Sequence, residues 1–298
     1  SRPDFGLLLS GQPRAVTLRG GEARIWNLSE KSESGKLASH QAVPAVAISE
    51  DGSTVATGSL DGSIKLWDAS TGKSLGRINA AHPRGVRSVA FLPGSKDRLV
   101  SAGDDRLAKL WDMADVINGK AEAKQTLKGH TGGLTRAIPS SNGQRLLTTA
   151  DDQTCRIWDL ATGAMVSEFK QHIGPVIAGD LSSDGQWAIT ADEASVWIWD
   201  VATGKPVIEH PIQGHGGDLT DVRFAPTKTV SVPDADGKSA ERVIRRVLTC
   251  SLDGTAKLWD IAVDGDTGTR SGKELITLAR PRKSEETSVR PGVTALSV

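Results

Sequence analysis

The sequence predicts an all-β protein in which one short unit of about four strands is repeated about six times. Three observations lead to this prediction: a tryptophan motif that recurs along the chain, an alternation of apolar and charged residues before each tryptophan, and glycine-containing turns between short β-rich runs. The composition agrees, because 298 residues include 32 glycines and eight tryptophans but four phenylalanines and no tyrosine. Tryptophan therefore occupies a repeated structural position.

The repeat is defined by two series of residues. The motif tryptophans are Trp26, Trp67, Trp111, Trp158, Trp199 and Trp259, at intervals of 41, 44, 47, 41 and 60 residues. A histidine precedes each of the last five by 27, 29, 28, 27 and 44 residues, namely His40, His82, His130, His172 and His215. An insertion in the last repeat explains the long final interval. Its polar segment, residues 226–243, is predicted to be a solvated loop.

Each unit contains the patterns of β-strands and turns. The residues one and three positions before the tryptophan are apolar, and the residue between them is basic in five of the six units. This period of two is typical of a strand. Pairs such as Asp61-Gly62 and Asp253-Gly254 indicate the turns, and no stretch has a helical period. Four strands in each unit, repeated at 40–45 residues, predict the blades of a β-propeller.

The histidine, the turn aspartate and the tryptophan resemble, in this order, the motifs of the WD-repeat (WD40) β-propeller family over nearly the whole chain. The resemblance implies a single propeller domain over residues 1–298, which we expect to be an excerpt of a longer chain with a seven-bladed ring. The blades are expected at about residues 4–39, 40–80, 81–128, 129–170, 171–213 and 214–279, and residues 280–298 are expected to start a further blade.

In that family a histidine, a serine or threonine, the turn aspartate and the tryptophan form a buried hydrogen-bonded tetrad within a blade. The resemblance implies two full tetrads here: His40, Ser59, Asp61 and Trp67, and His215, Ser251, Asp253 and Trp259. The third, fourth and fifth blades are expected to lack the hydroxyl, because Gly103, Ala150 and Ala191 stand at its position. In the fifth blade Glu193 is expected to replace the aspartate.

Composition and motifs limit the function. Equal numbers of basic and acidic residues, 36 each, weigh against a nucleic-acid binder, and no apolar stretch is long enough for a membrane span. Two cysteines fit a reducing compartment such as the cytoplasm. No nucleophile motif, phosphate loop or metal-ligand spacing is present. We therefore predict no enzymatic activity, no cofactor and no metal site.

The function predicted from the resemblance is a non-catalytic scaffold that docks protein or peptide partners on one propeller face. Two alternatives remain: a structural or regulatory module of a larger multidomain signalling protein, for example one attached to a kinase, and a propeller enzyme such as a hydrolase. The rim of the face is expected to carry two sets of residues. They are Arg19, Leu60, Asp104, Asp151, Asp192 and Leu252 beside the turn aspartates, and Arg87, Thr135, Ile177 and Thr220 five residues after the histidines.

Three successive blades place an aspartate on this rim: Asp104, Asp151 and Asp192. Such an acidic arc would suit a partner with a basic segment, because complementary charge steers and orients a ligand. The alternative is that these aspartates only form turns, for which aspartate is a common choice. The oligomeric state cannot be derived from these residues.

Overall fold

The structure is a computed structural model that describes residues 5–8, 14–19, 22–37, 42–95, 97–233, 239–261 and 272–279. Strands and turns make up nearly all of these residues, which confirms the predicted all-β fold. His40 and the segment 280–298, which was predicted to start a further blade, lie outside the described residues. In the part of the chain that is described, no helix is long and apolar enough to cross a membrane.

The described strands form six antiparallel sheets, each made of consecutive strands. The first two sheets contain β1–β4 (Phe5–Leu8, Arg14–Arg19, Glu22–Asn27, Ser32–Leu37) and β5–β8 (Ala45–Ile48, Thr54–Gly58, Ile64–Asp68, Ser74–Ile78). The third and fourth contain β9–β12 (Val86–Phe91, Arg98–Gly103, Leu107–Asp112, Gln125–Lys128) and β13–β16 (Leu134–Pro139, Arg145–Ala150, Cys155–Asp159, Met165–Phe169). The fifth and sixth contain β17–β19 (Ala178–Leu181, Trp187–Ala191, Val196–Asp200) and β20–β23 (Leu219–Pro233, Ser239–Ser251, Thr255–Ile261, Gly272–Ala279).

The second to sixth sheets are arranged radially, with the first strand of each at the inside. From the second sheet onward, each first strand contacts the first strand of the next sheet: β5 with β9, β9 with β13, β13 with β17 and β17 with β20. Within a sheet the chain then runs outward through antiparallel hairpins. As a result, the connections after the second and fourth strands of the blades lie on one side of the ring of sheets. The connections after the first and third strands lie on the other side.

The apolar core lies between neighbouring sheets. The alternation seen in the sequence places Ile64 and Leu66 on one face of β7, and both are buried against Trp111 of the next sheet. The basic residue between them, Lys65, is only half-buried. In the same way Ile25 of the first sheet packs with Trp67 of the second. Trp158, Trp199 and Trp259 pack in the same way with residues of the sheets before theirs. From the second sheet onward the motif tryptophan therefore fixes its sheet to the preceding one, which explains why tryptophan recurs with the period of the blades.

The fifth sheet differs from the predicted four strands, because only three strands belong to it. The segment that follows β19 is joined by two isolated bridges, Val196 with Ile212 and Trp199 with Pro206. Two prolines, Pro206 and Pro211, lie in this segment. Proline has no backbone N–H to donate to a ladder, so a continuous fourth strand cannot form.

A short helix was also not predicted. Helix α1 (Met113–Ile117) follows β11, and Asp112 caps it by accepting a hydrogen bond from the backbone N–H of Asp115. The aspartates at the same place after other motif tryptophans form turns instead; for example, the Asp68 carboxylate accepts from the N–H groups of Ser70 and Thr71. One turn of helix is too short for a helical period to be visible in the sequence.

The prediction of a solvated loop over residues 226–243 is wrong. Strands β20 and β21 continue through this segment as a long hairpin, with pairs that run from Lys228 opposite Ile244 to Pro233 opposite Ser239. Only residues 234–238 fall outside the described part of it. The polar composition suggested a loop, but Thr and Val recur through residues 227–232 and favour extended backbone.

Candidate partner-binding face

A network of four side chains organises one side of the third to sixth sheets. In the third sheet, His82 Nδ1 lies 2.7 Å from Asp105 Oδ1 and His82 Nε2 lies 2.7 Å from Ser101 Oγ. The indole N–H of Trp111 donates to the same Ser101 Oγ at 2.8 Å. Since the indole is only a donor and the hydroxyl links it to the imidazole, the carboxylate is the acceptor that completes the chain.

The same network recurs in the next three sheets. Its members are His130, Thr148, Asp152 and Trp158, then His172, Thr190, Asp192 and Trp199, and finally His215, Thr249, Asp253 and Trp259. In the first two sheets the tryptophan N–H also reaches a threonine, Trp26 to Thr17 and Trp67 to Thr57.

The predicted position of the hydroxyl was wrong by two residues. Ser59 and Ser251 do not bond the tryptophan; their Oγ atoms accept from the backbone N–H groups of Asp61 and Asp253 and shape the turn. Trp67 pairs with Val55 across the sheet, and Thr57 is two residues further along on the same face, within diagonal reach. A residue two positions beyond Thr57 is too far away.

The expectation that three blades lack the hydroxyl is therefore also wrong. Gly103, Ala150 and Ala191 stand at the incorrectly assigned position, and Ser101, Thr148 and Thr190 supply the hydroxyl two or one residues before them. The turn between the second and third strands is one residue shorter in the fifth sheet, so Thr190 precedes its tryptophan by nine residues instead of ten.

The carboxylate of the fifth sheet was also predicted at the wrong residue. Asp192, not Glu193, binds His172, with Oδ2 3.0 Å from Nδ1, and it also accepts from Ser195. Asp192 is 1% exposed and Glu193 is exposed. Burial alone would raise the pKa of Asp192, but the hydrogen bonds from His172 and the turn outweigh burial and lower its pKa to about 2. Asp192 is thus ionised in the interior and is no rim residue.

Burial also acts on the histidines. It lowers the pKa of His82 and of His215, against the opposing influence of Asp105 and Asp253. These rings are therefore neutral near pH 7, in agreement with a network in which Nδ1 faces the carboxylate and Nε2 faces the hydroxyl of the second strand. The pKa values of Asp152 and Asp253 lie well below the ordinary value, because hydrogen bonds from their histidines and turns outweigh burial.

We call the surface formed by these loops and turns the histidine face. It comprises residues 59–62, 81–85, 103–106, 130–133, 151–153, 172–176, 192–195, 215–218 and 252–254. The networks hold each loop against the neighbouring turn; for example, the backbone N–H groups of Thr131 and Gly216 donate to Asp152 and Asp253. The face is therefore rigid under its exposed side chains.

The predicted rim residues have different environments. Leu60 is 49% exposed and Leu252 is 42% exposed. Asp151 is exposed, whereas Asp104 accepts a hydrogen bond from Arg87 at 2.6 Å and is neutralised by it. Thr135, Ile177 and Thr220 are half-buried, and Arg19 lies at the end of β2 with no described side-chain environment. Of the predicted acidic arc, only Asp151 is a freely exposed carboxylate.

Several exposed residues of the face were not predicted. Ile173, beside His172, is 82% exposed, and the acids Glu193 and Asp218 are exposed in the fifth and sixth blades. Glu193 and Asp218 line a cleft of about 250 Å³, whose wall includes His215 and Trp259. Ile173 and Asp218 follow their histidines by one and three residues, so a rim position counted five residues after each histidine missed them. Glu193 was missed because it had been assigned to the internal network.

The described residues contain no group of three or more potential metal ligands. Cys155 and Cys250 are both buried and form no disulfide. Burial raises the pKa of Cys155 and raises that of Cys250 to about 12. Neither thiol is therefore a thiolate near neutral pH, which makes both poor nucleophiles.

Radial antiparallel sheets, of which the third to sixth are each locked by a histidine, a hydroxyl, a carboxylate and a tryptophan, define a β-propeller with repeated blades. The family model for "WD domain, G-beta repeat" matches residues 31–68, 72–112, 121–159 and 204–260. The chain belongs to the WD-repeat (WD40) family, as its motifs indicated. Members of this family are typically protein-interaction scaffolds.

Individual relatives are similar over part of the chain. "Small ribosomal subunit protein RACK1y" of Oryza sativa subsp. japonica is 34% identical over 36% of this chain and 32% of its own length. "Serine-threonine kinase receptor-associated protein" of Gallus gallus is 34% identical over 42% of this chain and 32% of its own. "WD repeat and SOCS box-containing protein 1" of Danio rerio is 32% identical over 42% and 29%. The matches thus span about a third of these relatives.

Proposed function

We propose that the protein is a non-catalytic scaffold that docks a protein or peptide partner on the histidine face. The observation that carries the proposal is the exposure of three large apolar side chains there. Ile173 and Leu252 project from a loop and a turn that the buried networks hold in place, and Leu60 projects from a turn that is closed by its own hydrogen bonds. Exposed apolar side chains on a fixed backbone lose little freedom on binding, so their burial favours association. Charged residues surround them, as at the rim of an interface.

The charges on this face are distributed unevenly. Asp151, Glu193 and Asp218, which we call the acidic sector, are exposed in the fourth, fifth and sixth blades. Arg84 and Arg106 are exposed in the third. An extended partner with a basic segment would lie with that segment over the acidic sector, because complementary charge orients a ligand during encounter.

The test compares two variants with the same change in net charge. Asp151→Asn, Glu193→Gln and Asp218→Asn together remove the acidic sector; Asp97→Asn, Glu122→Gln and Glu209→Gln together remove three exposed acids that lie outside the histidine face. Anisotropy of a labelled peptide with alternating lysine and leucine reports affinity. We expect the first variant to bind about tenfold more weakly at low salt and the second to bind like the wild type.

The salt dependence separates the two parts of the proposal. At 0.5 M salt the difference between the variants should shrink, since charges at the surface are screened. Leu60→Ser together with Leu252→Ser should weaken binding at every salt concentration. Equal affinity of all variants would contradict docking on this face. An equal loss of affinity in the two variants that lack acidic residues would contradict only the role of the acidic sector.

A further inference from the structure

A second cleft on the histidine face has the opposite charge. It has a volume of about 460 Å³, and it lies between the third and fourth blades. Arg84, Arg106 and Lys128 line it, and all three are exposed. Within the described part of the chain none of the three forms an ion pair, whereas Arg87 nearby is bound to Asp104. Three uncompensated cations thus surround one concavity.

The acidic group in this cleft is already balanced. Asp105 lies in its wall, with Oδ1 bonded to His82 and Oδ2 3.4 Å from Lys109 Nζ. Hydrogen bonds and charge from these two residues outweigh burial and lower the pKa of Asp105. The other members of the wall, such as Pro83, Leu107 and Gly129, are uncharged. The net charge of the cleft is therefore that of the three cations.

The backbone at Arg106 is strained. Arg106 has a φ of 69°, in the left-handed region, and its N–H donates to the carbonyl of Gly103. In the second and sixth blades the same turn position, with the same hydrogen bond three residues back, is occupied by Gly62 and Gly254. Glycine adopts this conformation without a steric penalty, and arginine does not. The third blade thus presents a long cationic side chain from a position where the fold favours glycine, and such strain is typical of functional sites.

We propose that this cleft binds a phosphorylated side chain of the docked partner. A phosphate monoester carries close to two negative charges near pH 7 and three acceptor oxygens, which suits two guanidinium groups and an ammonium better than a single carboxylate does. Arginine clusters recognise phosphorylated segments in this way. The proposal rests on the proposed docking face, but it does not depend on the acidic sector. Together the two clefts would fix the direction of a partner that is phosphorylated at one end and basic at the other.

The test uses capped peptides Ala-Gly-X-Gly-Ala, in which X is phosphoserine, serine or glutamate. Their neutral flanks avoid the acidic sector. Titrations are followed through the Nε–H signals of the arginine side chains in ¹⁵N-labelled protein. We expect the phosphoserine peptide to shift the signals of Arg84 and Arg106 with saturation, the glutamate peptide to bind about tenfold more weakly, and the serine peptide to cause no shift. Equal affinity for the phosphoserine and glutamate peptides, or no saturable shift, would overturn the proposal.

Arg106→Gly provides the sharper variant, because it removes a cation and relieves strain at once. We expect it to raise the melting temperature and to weaken phosphopeptide binding about tenfold. Gln153→Gly is the matched control: Gln153 has a φ of 67° in the equivalent turn of the fourth blade but does not line the cleft. It should raise the melting temperature and leave the affinity unchanged. An Arg106→Gly protein that binds the phosphopeptide as the wild type does would overturn the assignment.

The result also separates this proposal from the previous one. The variant without the acidic sector should bind the neutral-flanked phosphopeptide with wild-type affinity, whereas Arg84→Ala should weaken it about tenfold. If the phosphopeptide fails to bind but the lysine and leucine peptide still depends on the acidic sector, the phosphate site is wrong and the docking face stands. If the reverse is found, the acidic sector is wrong and the phosphate site stands.

Discussion

The turns of the fourth and fifth blades hold equivalent histidines with aspartates at different positions of the turn. In the fourth, His130 binds Asp152, the second of two adjacent acids, and the first, Asp151, is exposed. In the fifth, His172 binds Asp192, the first of its pair, and the second, Glu193, is exposed. The carboxylate follows the threonine of the second strand by four residues in one blade and by two in the other. The role of each acid is thus set by the turn and not by its order.

The comparison of the two turns shows which contacts the network requires. The histidine must meet one hydroxyl on the second strand and one carboxylate in the following turn, and the two bonds have nearly equal lengths in both blades. The shorter turn of the fifth blade satisfies the same requirement with an earlier residue, Asp192, which points inward and accepts hydrogen bonds from the backbone N–H and the hydroxyl of Ser195. In both of these blades one acid is internal and the other is exposed and free to contact a partner.

The largest expected effect distinguishes the two acids of the fifth blade. Asp192→Ala should lower the free energy of unfolding by about 3 kcal/mol, because it leaves His172 and the turn N–H groups buried without an acceptor. Glu193→Ala should change it by less than about 0.5 kcal/mol, since Glu193 is exposed. Urea unfolding of both proteins measures the difference. Comparable losses would mean that the two acids share the internal role.

The threonine hydroxyl should contribute equally to the free energy of unfolding in the fourth and fifth blades. Thr148→Val and Thr190→Val keep the shape of the side chain but leave the histidine Nε2 and the tryptophan N–H of one blade without their shared partner. We expect each to lower the free energy of unfolding by about 2 kcal/mol. Ala150→Ser, at the position where the hydroxyl had been predicted, should not rescue Thr148→Val. If Ala150→Ser restored the stability of Thr148→Val, position 150 would be the position of the network hydroxyl after all.

The fold was predictable from the sequence, whereas the atoms of the network were predictable only in part. The tryptophans and histidines recur because each blade needs both, so their spacing identified the blades and the side of the ring. The hydroxyl was misplaced because Ser59 and Ser251 also form hydrogen bonds in the turn, and sequence spacing does not distinguish turn from strand. The acids Asp192 and Glu193 were exchanged because turn length varies between blades. The extension of the β20–β21 hairpin was missed because the sequence of residues 226–243 is polar in composition.

Acid should weaken the fifth blade through Asp192. Its pKa is about 2 in the folded protein against an ordinary value of 3.8, so its contribution is complete above pH 4 and is lost as the pH falls through 2. The loss should be about 1–2 kcal/mol by the usual linkage of pKa to stability. Urea unfolding at pH 5 and pH 2.5 of the wild type and of Asp192→Ala would measure it. A variant with the same acid-induced loss as the wild type would exclude Asp192 as its source.

The smallest expected effect has opposite signs in the two turns. Gln153 of the fourth blade has a φ of 67°, whereas Ala194 of the fifth is not among the described residues with positive φ. Gln153→Gly relieves a left-handed conformation, and this gain exceeds the entropy that glycine loses on folding, so stability should rise by about 0.5 kcal/mol. Ala194→Gly gains nothing in the folded state and makes the unfolded chain more flexible, so stability should fall by a similar amount. Both variants introduce a glycine, so the added flexibility of the unfolded chain is common to both. The difference between their stabilities, measured by calorimetry, therefore reports the backbone geometry of the two turns. Changes of the same sign would mean that the two turns do not differ in backbone conformation, and the different choice of aspartate would then need another cause.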